Sequence, residues 1–244
     1  MNPEEHKRLS AVARDHWYYK GKRAIVKAWL RARPCLESSP LLVDVGAGQG
    51  LLIREMSVVM RALGVEPYRE VIPKSSPDVP WERMLCGSVS GLPVKDKTAD
   101  YVTCLDVLEH ICDDRKALAE IVRVTKEGGR IILTVPACSW ALSDWDQALG
   151  HYRRYNRRDM EKLLGGFPLD IIENRYINNV PFLPVVAYRF LRQRFFPDIK
   201  RRLEDEIPSE PWNSWLYQLF VKTALWQSIS LPFGLSLLTV AERR

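Results

Sequence analysis

Apolar and polar positions follow two different periods along the chain, and together they predict strands that alternate with helices. Apolar side chains recur at helical spacing over residues 3–33, which predicts two amphipathic helices. The mostly apolar run at 41–45 predicts a buried strand, and a helical pattern follows it through Leu63. Further strands are expected to end at Glu66 and to cover residues 84–86, 100–105, 130–135, 169–176 and 236–241. Further helices are expected over residues 113–125, with Asp113-Asp114 as the cap and Gly128-Gly129 as the stop, and over 158–164.

This alternation of strands and helices predicts an α/β fold with a doubly wound, mostly parallel sheet. With 244 residues, of which 46% are apolar, the chain can bury one sizeable core or one core with an appended cap. After Pro136 the pattern becomes irregular, and an aromatic-rich stretch over 179–232 precedes the last strand. An insertion so late between two strands is expected to form a helical cap.

Three glycines follow the first strand in the segment Asp44-Val45-Gly46-Ala47-Gly48-Gln49-Gly50. Glycine permits positive φ angles and leaves room for a ligand beside the backbone, and the helix that begins there offers unpaired N–H groups. A dinucleotide-binding fold would place its third glycine at position 51, which is Leu51 here. Glu66 ends the next strand, 22 residues after Asp44, where a carboxylate can accept hydrogen bonds from ribose hydroxyls.

The GxGxG spacing and the acidic residue after the second strand resemble the class I S-adenosylmethionine (SAM)-dependent methyltransferases. The resemblance covers about residues 41–137 and implies a seven-stranded Rossmann-like sheet, with SAM as the methyl donor and S-adenosyl-L-homocysteine as the product. The family often has Asp at the position of Ser88, so this sequence departs from the pattern there. The cofactor contacts that the resemblance implies are Asp44, Gly46, Ala47, Gly48, Gly50, Glu66, Ser88, Val89, Leu105, Asp106 and Tyr19.

The resemblance also divides the chain into four regions. These are an N-terminal helical lid (1–33), a SAM-binding core (34–178), a helical cap insertion (179–232) and the last strand of the core (233–244). The lid carries His16-Trp17-Tyr18-Tyr19, and aromatic rings can exclude water and face a sulfonium favourably. Ordinary core packing is the alternative interpretation of these aromatic residues.

The segment Gly150-His151-Tyr152-Arg153-Arg154-Tyr155 follows strand five and resembles a GHxRRY pattern of a bacterial subgroup of the type-11-like methyltransferases. His151 is the candidate general base, with Tyr155 as a second catalytic candidate. The candidate acceptor-binding residues are Arg153, Arg154, Trp140, Tyr18 and His110. The alternative interpretation is that this cluster only fixes a loop to the sheet. Asp144, Asp146 and His151 match no tight metal-binding spacing, so no metal is predicted.

Charge and composition add little to the assignment of an acceptor. The 36 basic and 30 acidic residues give a net charge of +6, which permits an anionic partner. Basic and aromatic residues are interleaved in 179–232, which is typical either of a solvated basic face over an aromatic core or of a helix that lies on an anionic bilayer. The charged N-terminal region, the absence of CxxC pairs among five cysteines and the polar breaks within 223–241 predict a cytoplasmic protein, at most peripheral at the membrane.

The sequence therefore predicts a SAM-dependent methyltransferase that acts on oxygen, with nitrogen as the lesser alternative, of a small-molecule, saccharide or lipid-linked acceptor. We expect a monomer or a homodimer. An RNA methyltransferase and a catalytically silent SAM-binding scaffold remain alternatives. Nucleic acid is disfavoured as a partner, because the chain lacks the (D/N/S)PP(Y/F) element, the Pro-Cys pair and any evident RNA-binding module.

Overall fold

The computed structural model describes residues 11–32, 37–72, 81–139, 146, 149–180, 182, 187, 206–226 and 231–244. The strands are β1 (Leu41–Val45), β2 (Arg61–Glu66), β3 (Met84–Cys86), β4 (Ala99–Leu105), β5 (Thr125–Pro136), β6 (Leu169–Ile177) and β7 (Ser236–Arg243). The α-helices are α1 (Trp17–Ala32), α2 (Leu51–Met56), α3 (Asp114–Val124), α4 (Arg157–Leu164) and α5 (Trp212–Leu225). Two short 3-10 turns cover Trp81–Arg83 and Leu108–His110.

The seven strands form one sheet in the order β3-β2-β1-β4-β5-β7-β6. Neighbouring strands from β3 to β5 are parallel, and β7 runs antiparallel to both β5 and β6. Val45, the last residue of β1, pairs with Val65 on one side and with Cys104 on the other. The carboxyl ends of β1, β2 and β4 therefore meet at one edge of the sheet. The predicted α/β fold with a seven-stranded, mostly parallel sheet is confirmed.

Apolar side chains cover both faces of the sheet, as a doubly wound fold requires. All five residues of β1 are buried. On one face Val43 and Val45 lie in a core with Leu118 and Ile121 of α3. On the other face Leu42 lies in a second core that includes α1 and part of α5. Burial on both faces explains why the central strands are nearly continuous apolar runs in the sequence.

Two predicted helix boundaries are wrong. The helix after the glycine loop ends at Met56 rather than at Leu63, and residues 61–66 form β2. A short apolar run fits a strand as well as a helix, and here pairing with β1 decides for the strand. Gly128 and Gly129 do not end α3, because the helix stops at Thr125 and both glycines lie within β5.

The first and last described helices pack against each other beside the sheet. Gly21 of α1 lies against the ring of Phe220 of α5, so close that a Cβ atom on Gly21 would come within 2.5 Å of it. The rings of Trp17 and Tyr18 also pack on Phe220, with centroid distances of 5.7 and 5.8 Å. Asn213 accepts a hydrogen bond from the backbone N–H of Trp17 at 2.9 Å. These contacts join the two regions that the sequence assigned to the lid and the cap.

The lid and the cap themselves stay predictions. Residues 1–10 and half of 179–232 lie outside the described part of the chain. The latter include residues 188–205, which carry most of the basic residues of that stretch. Among the helices that the structure describes, none combines the length and the apolar character needed to cross a bilayer.

Replacing Phe220 by Ala is expected to lower the free energy of unfolding by about 3–5 kcal/mol, because the ring is 2% exposed and fills the contact between α1 and α5. Chemical denaturation of the purified variant measures the change. Trp212→Ala, on the same helix and 61% exposed, is the matched control and is expected to change the value by less than about 0.5 kcal/mol. Equal effects of the two substitutions would contradict the described packing.

Candidate functional site

The loop between β1 and α2 is built on three glycines with positive φ, Gly46 at 76°, Gly48 at 55° and Gly50 at 72°. The backbone N–H groups of Gly46 and Ala47 donate to the carbonyl of Val65 at 2.8 and 3.1 Å, which ties the loop to the end of β2. A Cβ atom on Gly46 would lie 2.3 Å from the side chain of Val107. Both the backbone angle and the close approach therefore require glycine at this position.

The described structure leaves room for a ligand above the same loop. A Cβ atom on Gly48 would meet no other atom within 4 Å. Glu66 is 2% exposed, and its carboxylate accepts from the backbone N–H of Gly48 at 2.9 Å and from that of Tyr68 at 3.1 Å. A carboxylate has about four lone-pair sites, so Glu66 can still accept from hydroxyls of a ligand. Open space beside a glycine and a carboxylate at the strand end fit the adenosyl part of SAM.

Asp44 lies beneath this loop, inside the sheet. It is 4% exposed, and its Oδ1 accepts a hydrogen bond from the hydroxyl of Thr103 at 2.6 Å. Burial raises the pKa of Asp44 to about 7; the Thr103 hydrogen bond acts in the opposite direction, and the charge of Glu66 adds to the increase. Asp44 is thus a buried carboxyl of β1 that is hydrogen-bonded to β4, directly before the glycine loop.

The segment after β3 is connected to Glu66 through the backbone, because Gly87 N–H donates to the carbonyl of Glu66 at 3.2 Å. Ser88 Oγ accepts from the backbone N–H of Ser90 at 3.2 Å, and Val89 is 5% exposed. The side chain of Ser88 therefore shapes its own turn. The predicted adenine contacts of Ser88 and Val89 stay predictions.

Asp106 follows Leu105 at the end of β4 and adopts a positive φ of 54°. Its N–H donates to the carbonyl of Thr134 at 2.8 Å, and its Oδ1 accepts from the Thr134 hydroxyl at 3.1 Å. Its other carboxylate oxygen pairs with the ammonium of Lys22. These contacts fix the turn that leads from β4 into Leu108–His110.

Lys22 is a site residue that the sequence reasoning missed. Its side chain is 3% exposed, and its Nζ lies 3.8 Å from the centre of the Tyr18 ring. Burial lowers its pKa to about 7, although the charge of Glu109 opposes the change. The signal was present, because position 22 lies on the apolar stripe of α1 between Tyr18 and Ile25. A lysine on that stripe is expected to have an acidic partner.

His151 is held by a buried carboxylate that the sequence reasoning considered only as a metal ligand. Its Nδ1 lies 2.9 Å from Oδ1 of Asp146, which is fully buried. Because a carboxylate only accepts, Nδ1 carries a proton, and Nε2 is the nitrogen that has the lone pair in the neutral ring. Arg154 donates to the same oxygen at 2.8 Å and to the carbonyl of Ala137 at 3.1 Å, which holds the Asp146 carboxylate in place.

Glu109 and His110, in the turn after β4, lie next to the His151 segment. The rings of His110 and His151 meet edge to face at a centroid distance of 4.6 Å. Glu109 is 1% exposed, and burial raises its pKa to about 8, with Lys22 and Arg154 acting in the opposite direction. The backbone of the GHxRRY segment is attached here as well, because Tyr152 N–H donates to the carbonyl of Glu109 at 2.7 Å.

Arg153 and Tyr155 point toward the N-terminus of α3. Arg153 donates to Asp114 at 2.8 Å and to the carbonyl of Cys112 at 2.6 Å. The hydroxyl of Tyr155 donates to Asp114 at 2.8 Å, and burial and this carboxylate raise the pKa of Tyr155. Such contacts attach the loop to α3, and the predicted acceptor roles of both residues stay predictions.

The remaining candidate residues lie on the aromatic side or outside the described residues. Tyr18 shares a hydrogen bond of 2.9 Å with the hydroxyl of Ser236, and burial raises its pKa. Tyr19 packs against His16 at a ring distance of 5.5 Å. Trp140 lies outside the described residues, as does Asp144.

Asp44→Asn is expected to change how stability depends on pH. The pKa of Asp44 in the folded protein, about 7, lies above its ordinary value of 3.8, so the folded state holds a proton that the unfolded chain releases. The stabilising contribution is complete below about pH 4 and is lost as pH rises to about 7, with a slope of at most about 1.4 kcal/mol per pH unit. Asn cannot titrate, so the variant should lose less stability than the native protein over this range.

Denaturation at several pH values measures the difference between the two proteins. Asp170→Asn, a substitution at a side chain that is 69% exposed, is the control and should follow the native curve. Parallel curves for Asp44→Asn and the native protein would show that Asp44 titrates normally.

Comparison with known proteins agrees with this site. A family model for a methyltransferase domain matches residues 43–133, the segment from β1 into β5 that carries the glycine loop and Glu66. YcgJ of Bacillus subtilis, an uncharacterized methyltransferase, is 33% identical over 98 residues, which are 38% of this chain and 39% of that protein. A demethylmenaquinone methyltransferase of Streptomyces avermitilis is 35% identical over 79 residues, 32% of each chain. The chain spans less than half the length of the first curated relatives that it matches, at 40%, 44% and 39%.

Solved structures share the fold over nearly the whole chain. A putative methyltransferase in complex with the Haloferax volcanii activator Trm112 superposes with a TM-score of 0.61 at 19% identity, covering 98% of this chain and 94% of that one. The structure of YcgJ superposes with a TM-score of 0.57 at 17% identity, covering 91% and 98%. At these identities the likeness concerns the fold. The domain match over residues 43–133 and the glycine loop make this part of the chain similar to the class I S-adenosylmethionine-dependent methyltransferases.

Proposed function

We propose that the protein transfers a methyl group from SAM to an oxygen of a small-molecule, saccharide or lipid-linked acceptor. The observation that carries this proposal is the pair His151–Asp146, with 2.9 Å between Nδ1 and Oδ1. The ring of His151 contacts His110 at the end of β4. Because β4 is the neighbour of β1, the pair lies at the sheet edge where the glycine loop begins. A cofactor cradle and an oriented base at one edge are what methyl transfer to a hydroxyl requires.

The residues of the loop edge would hold SAM, which supplies an electrophilic methyl group on sulfur when it is bound. Glu66 would accept from the ribose hydroxyls, and the open space beside Gly48 supports this role. Asp106 would bind the amino acid portion, and its existing pair with Lys22 leaves its Oδ1 as the candidate atom. Aligning the acceptor with the methyl group lowers the barrier by roughly 7–11 kcal/mol in well-oriented systems.

His151 takes the proton that the acceptor must lose. Asp146 fixes the ring so that Nε2 carries the lone pair, and it stabilises the imidazolium that forms. The acceptor hydroxyl gives its proton to Nε2, the bond from its oxygen to the methyl carbon forms, and the bond from that carbon to sulfur breaks. S-adenosyl-L-homocysteine and the methylated acceptor are the products. A general base of this kind contributes about 10²–10⁴-fold to the rate.

His151→Ala is expected to lower kcat by about 10²–10⁴-fold and to leave SAM affinity nearly unchanged, because the ring acts on the acceptor. Turnover is followed as S-adenosyl-L-homocysteine release with a panel of phenols, sugars and polyprenyl-linked sugars, and SAM affinity by calorimetry. Tyr152→Ala, at a neighbouring side chain that is 59% exposed, is the matched control.

Four results would each contradict a part of this proposal. Unchanged turnover in His151→Ala would remove the base. SAM binding without turnover on any acceptor would favour a silent scaffold, and turnover on RNA alone would move the acceptor to nucleic acid. Methylation of amines but not of hydroxyls would replace oxygen by nitrogen.

We also propose that the region around α5 brings the protein to an anionic bilayer, where a lipid-linked acceptor would reside. Trp212, Trp215 and Trp226 are 61%, 53% and 58% exposed. Tryptophan side chains favour the boundary between lipid headgroups and acyl chains, and a positive charge attracts anionic lipids. The net charge of +6 supports this contact.

Replacing Trp212 and Trp215 by Ala is expected to weaken binding to phosphatidylglycerol vesicles by roughly tenfold or more, since both rings would enter the headgroup region. Vesicle sedimentation measures the bound fraction. The control replaces two exposed apolar residues that follow α2, Val58 and Val59, by Ser. Native protein that does not sediment with these vesicles would contradict the membrane contact.

A further inference from the structure

Three side chains at the end of β4 and in the GHxRRY segment form a cluster with the composition of a metal site. Glu109, His110 and His151 each offer a ligand atom, and these three atoms lie within 4.8 Å of one another. One carboxylate and two imidazoles are the donor set that many transition-metal sites use. Residue spacing does not reveal this cluster, because His151 is far from Glu109-His110 along the chain.

Both histidines have the orientation that metal ligands have in proteins. Nδ1 of His151 lies 2.9 Å from the carboxylate of Asp146, and Nδ1 of His110 lies 3.4 Å from the carbonyl of Gly150. These oxygens only accept, so each Nδ1 carries the proton and each Nε2 has its lone pair. An imidazole that ligates a metal through one nitrogen commonly donates from the other to a carboxylate or a carbonyl.

Glu109 supplies an independent observation that points to a cation. Its side chain is buried, and its Oε2 has no hydrogen-bond partner among the described residues. Leaving a buried carboxylate oxygen without a partner is unfavourable. The two nearby cations pair with other carboxylates, Lys22 with Asp106 and Arg154 with Asp146, and act on Glu109 only through their charge.

The ionised side chains around the cluster carry slightly more negative than positive charge. Asp106, Glu109 and Asp146 bring three carboxylates, whereas Lys22 and Arg154 bring two cationic side chains. The described groups therefore carry an excess of one negative charge when all are ionised. With a bound divalent ion, the net charge of these groups would change from −1 to +1.

We propose that Glu109, His110 and His151 bind one divalent first-row transition-metal ion. Two imidazoles favour Mn²⁺, Fe²⁺, Co²⁺ or Zn²⁺ over Mg²⁺ and Ca²⁺, which prefer sites made of oxygen ligands. Three protein ligands leave coordination positions for an oxygen of the acceptor. This replaces the expectation that the site holds no metal. It goes beyond the proposed methyl transfer, because metal binding can be measured without turnover.

A bound metal would change the part that His151 plays. Nε2 has a single lone pair, so in the loaded protein it is a ligand and takes no proton. The ion would orient the acceptor oxygen and polarise it in place of the base. Turnover of the loaded protein would then be sensitive to a chelator, whereas turnover through His151 as a base would not.

The test is calorimetric titration of the chelator-treated, dialysed full chain with Mn²⁺, Co²⁺, Zn²⁺ and Mg²⁺. One transition-metal ion per chain should bind, with Mg²⁺ much weaker. Glu109→Gln and His110→Gln should each weaken Co²⁺ binding by at least about 100-fold, and Asp146→Asn, which keeps all three ligands, by about 10–100-fold. Glu127→Gln, at a carboxylate that is 65% exposed, should bind as the native protein does.

Binding of S-adenosyl-L-homocysteine to each variant shows that it is folded. Equal Co²⁺ affinity in the native protein, Glu109→Gln and Asp146→Asn would overturn the site, as would the absence of binding to the native protein. Neither outcome touches the proposed methyl transfer, which is tested separately by turnover of the native protein with SAM.

Discussion

Parallel pairing of β1 with β2 and β4 is the constraint on which the rest of the site depends. The three strands end at the same level, so the glycine loop, Glu66 and the turn at Asp106 meet although they are far apart in the chain. Gly46 permits this meeting, since the loop passes so close to Val107 that any side chain there would clash. The loop is then held from two sides, by Val65 through the backbone and by Glu66 through its carboxylate.

The second feature of the molecule is the amount of charge that it buries around this edge. The charged side chains there that are less than 9% exposed include Lys22, Glu109, Asp146 and Arg154. Removing one charge from a buried pair leaves its partner without compensation, and two such pairs are present, Lys22 with Asp106 and Arg154 with Asp146. The aromatic contact of α1 with α5 closes the other side of the cluster, because Tyr18 covers Lys22 and stacks on Phe220. Packing of the two helices and burial of the charges therefore support each other.

The sequence predicted the features that depend on local pattern. The buried strand 41–45, the glycine spacing and the carboxylate of Glu66 could be found because each is written in a short segment, and Asp113 caps α3 as expected. The predicted helix through Leu63 was wrong because a short apolar run fits the period of a helix and that of a strand. Only the pairing with β1 distinguishes the two. The pair of Lys22 with Asp106 joins two distant segments, so residue spacing could not reveal it. Asp146 lies only five residues before His151, but spacing does not show that it holds the His151 ring.

Asp146 shows why a base and a metal ligand are hard to tell apart from geometry. A buried carboxylate that accepts from Nδ1 orients the ring in the same way for a proton acceptor and for a metal ligand. The groups that surround the His151 ring distinguish the two roles. A base needs only the acceptor nearby, whereas His151 lies beside a second imidazole and a buried carboxylate oxygen that lacks a hydrogen bond. Those two neighbours have no function in proton removal by His151, and both have one around a cation.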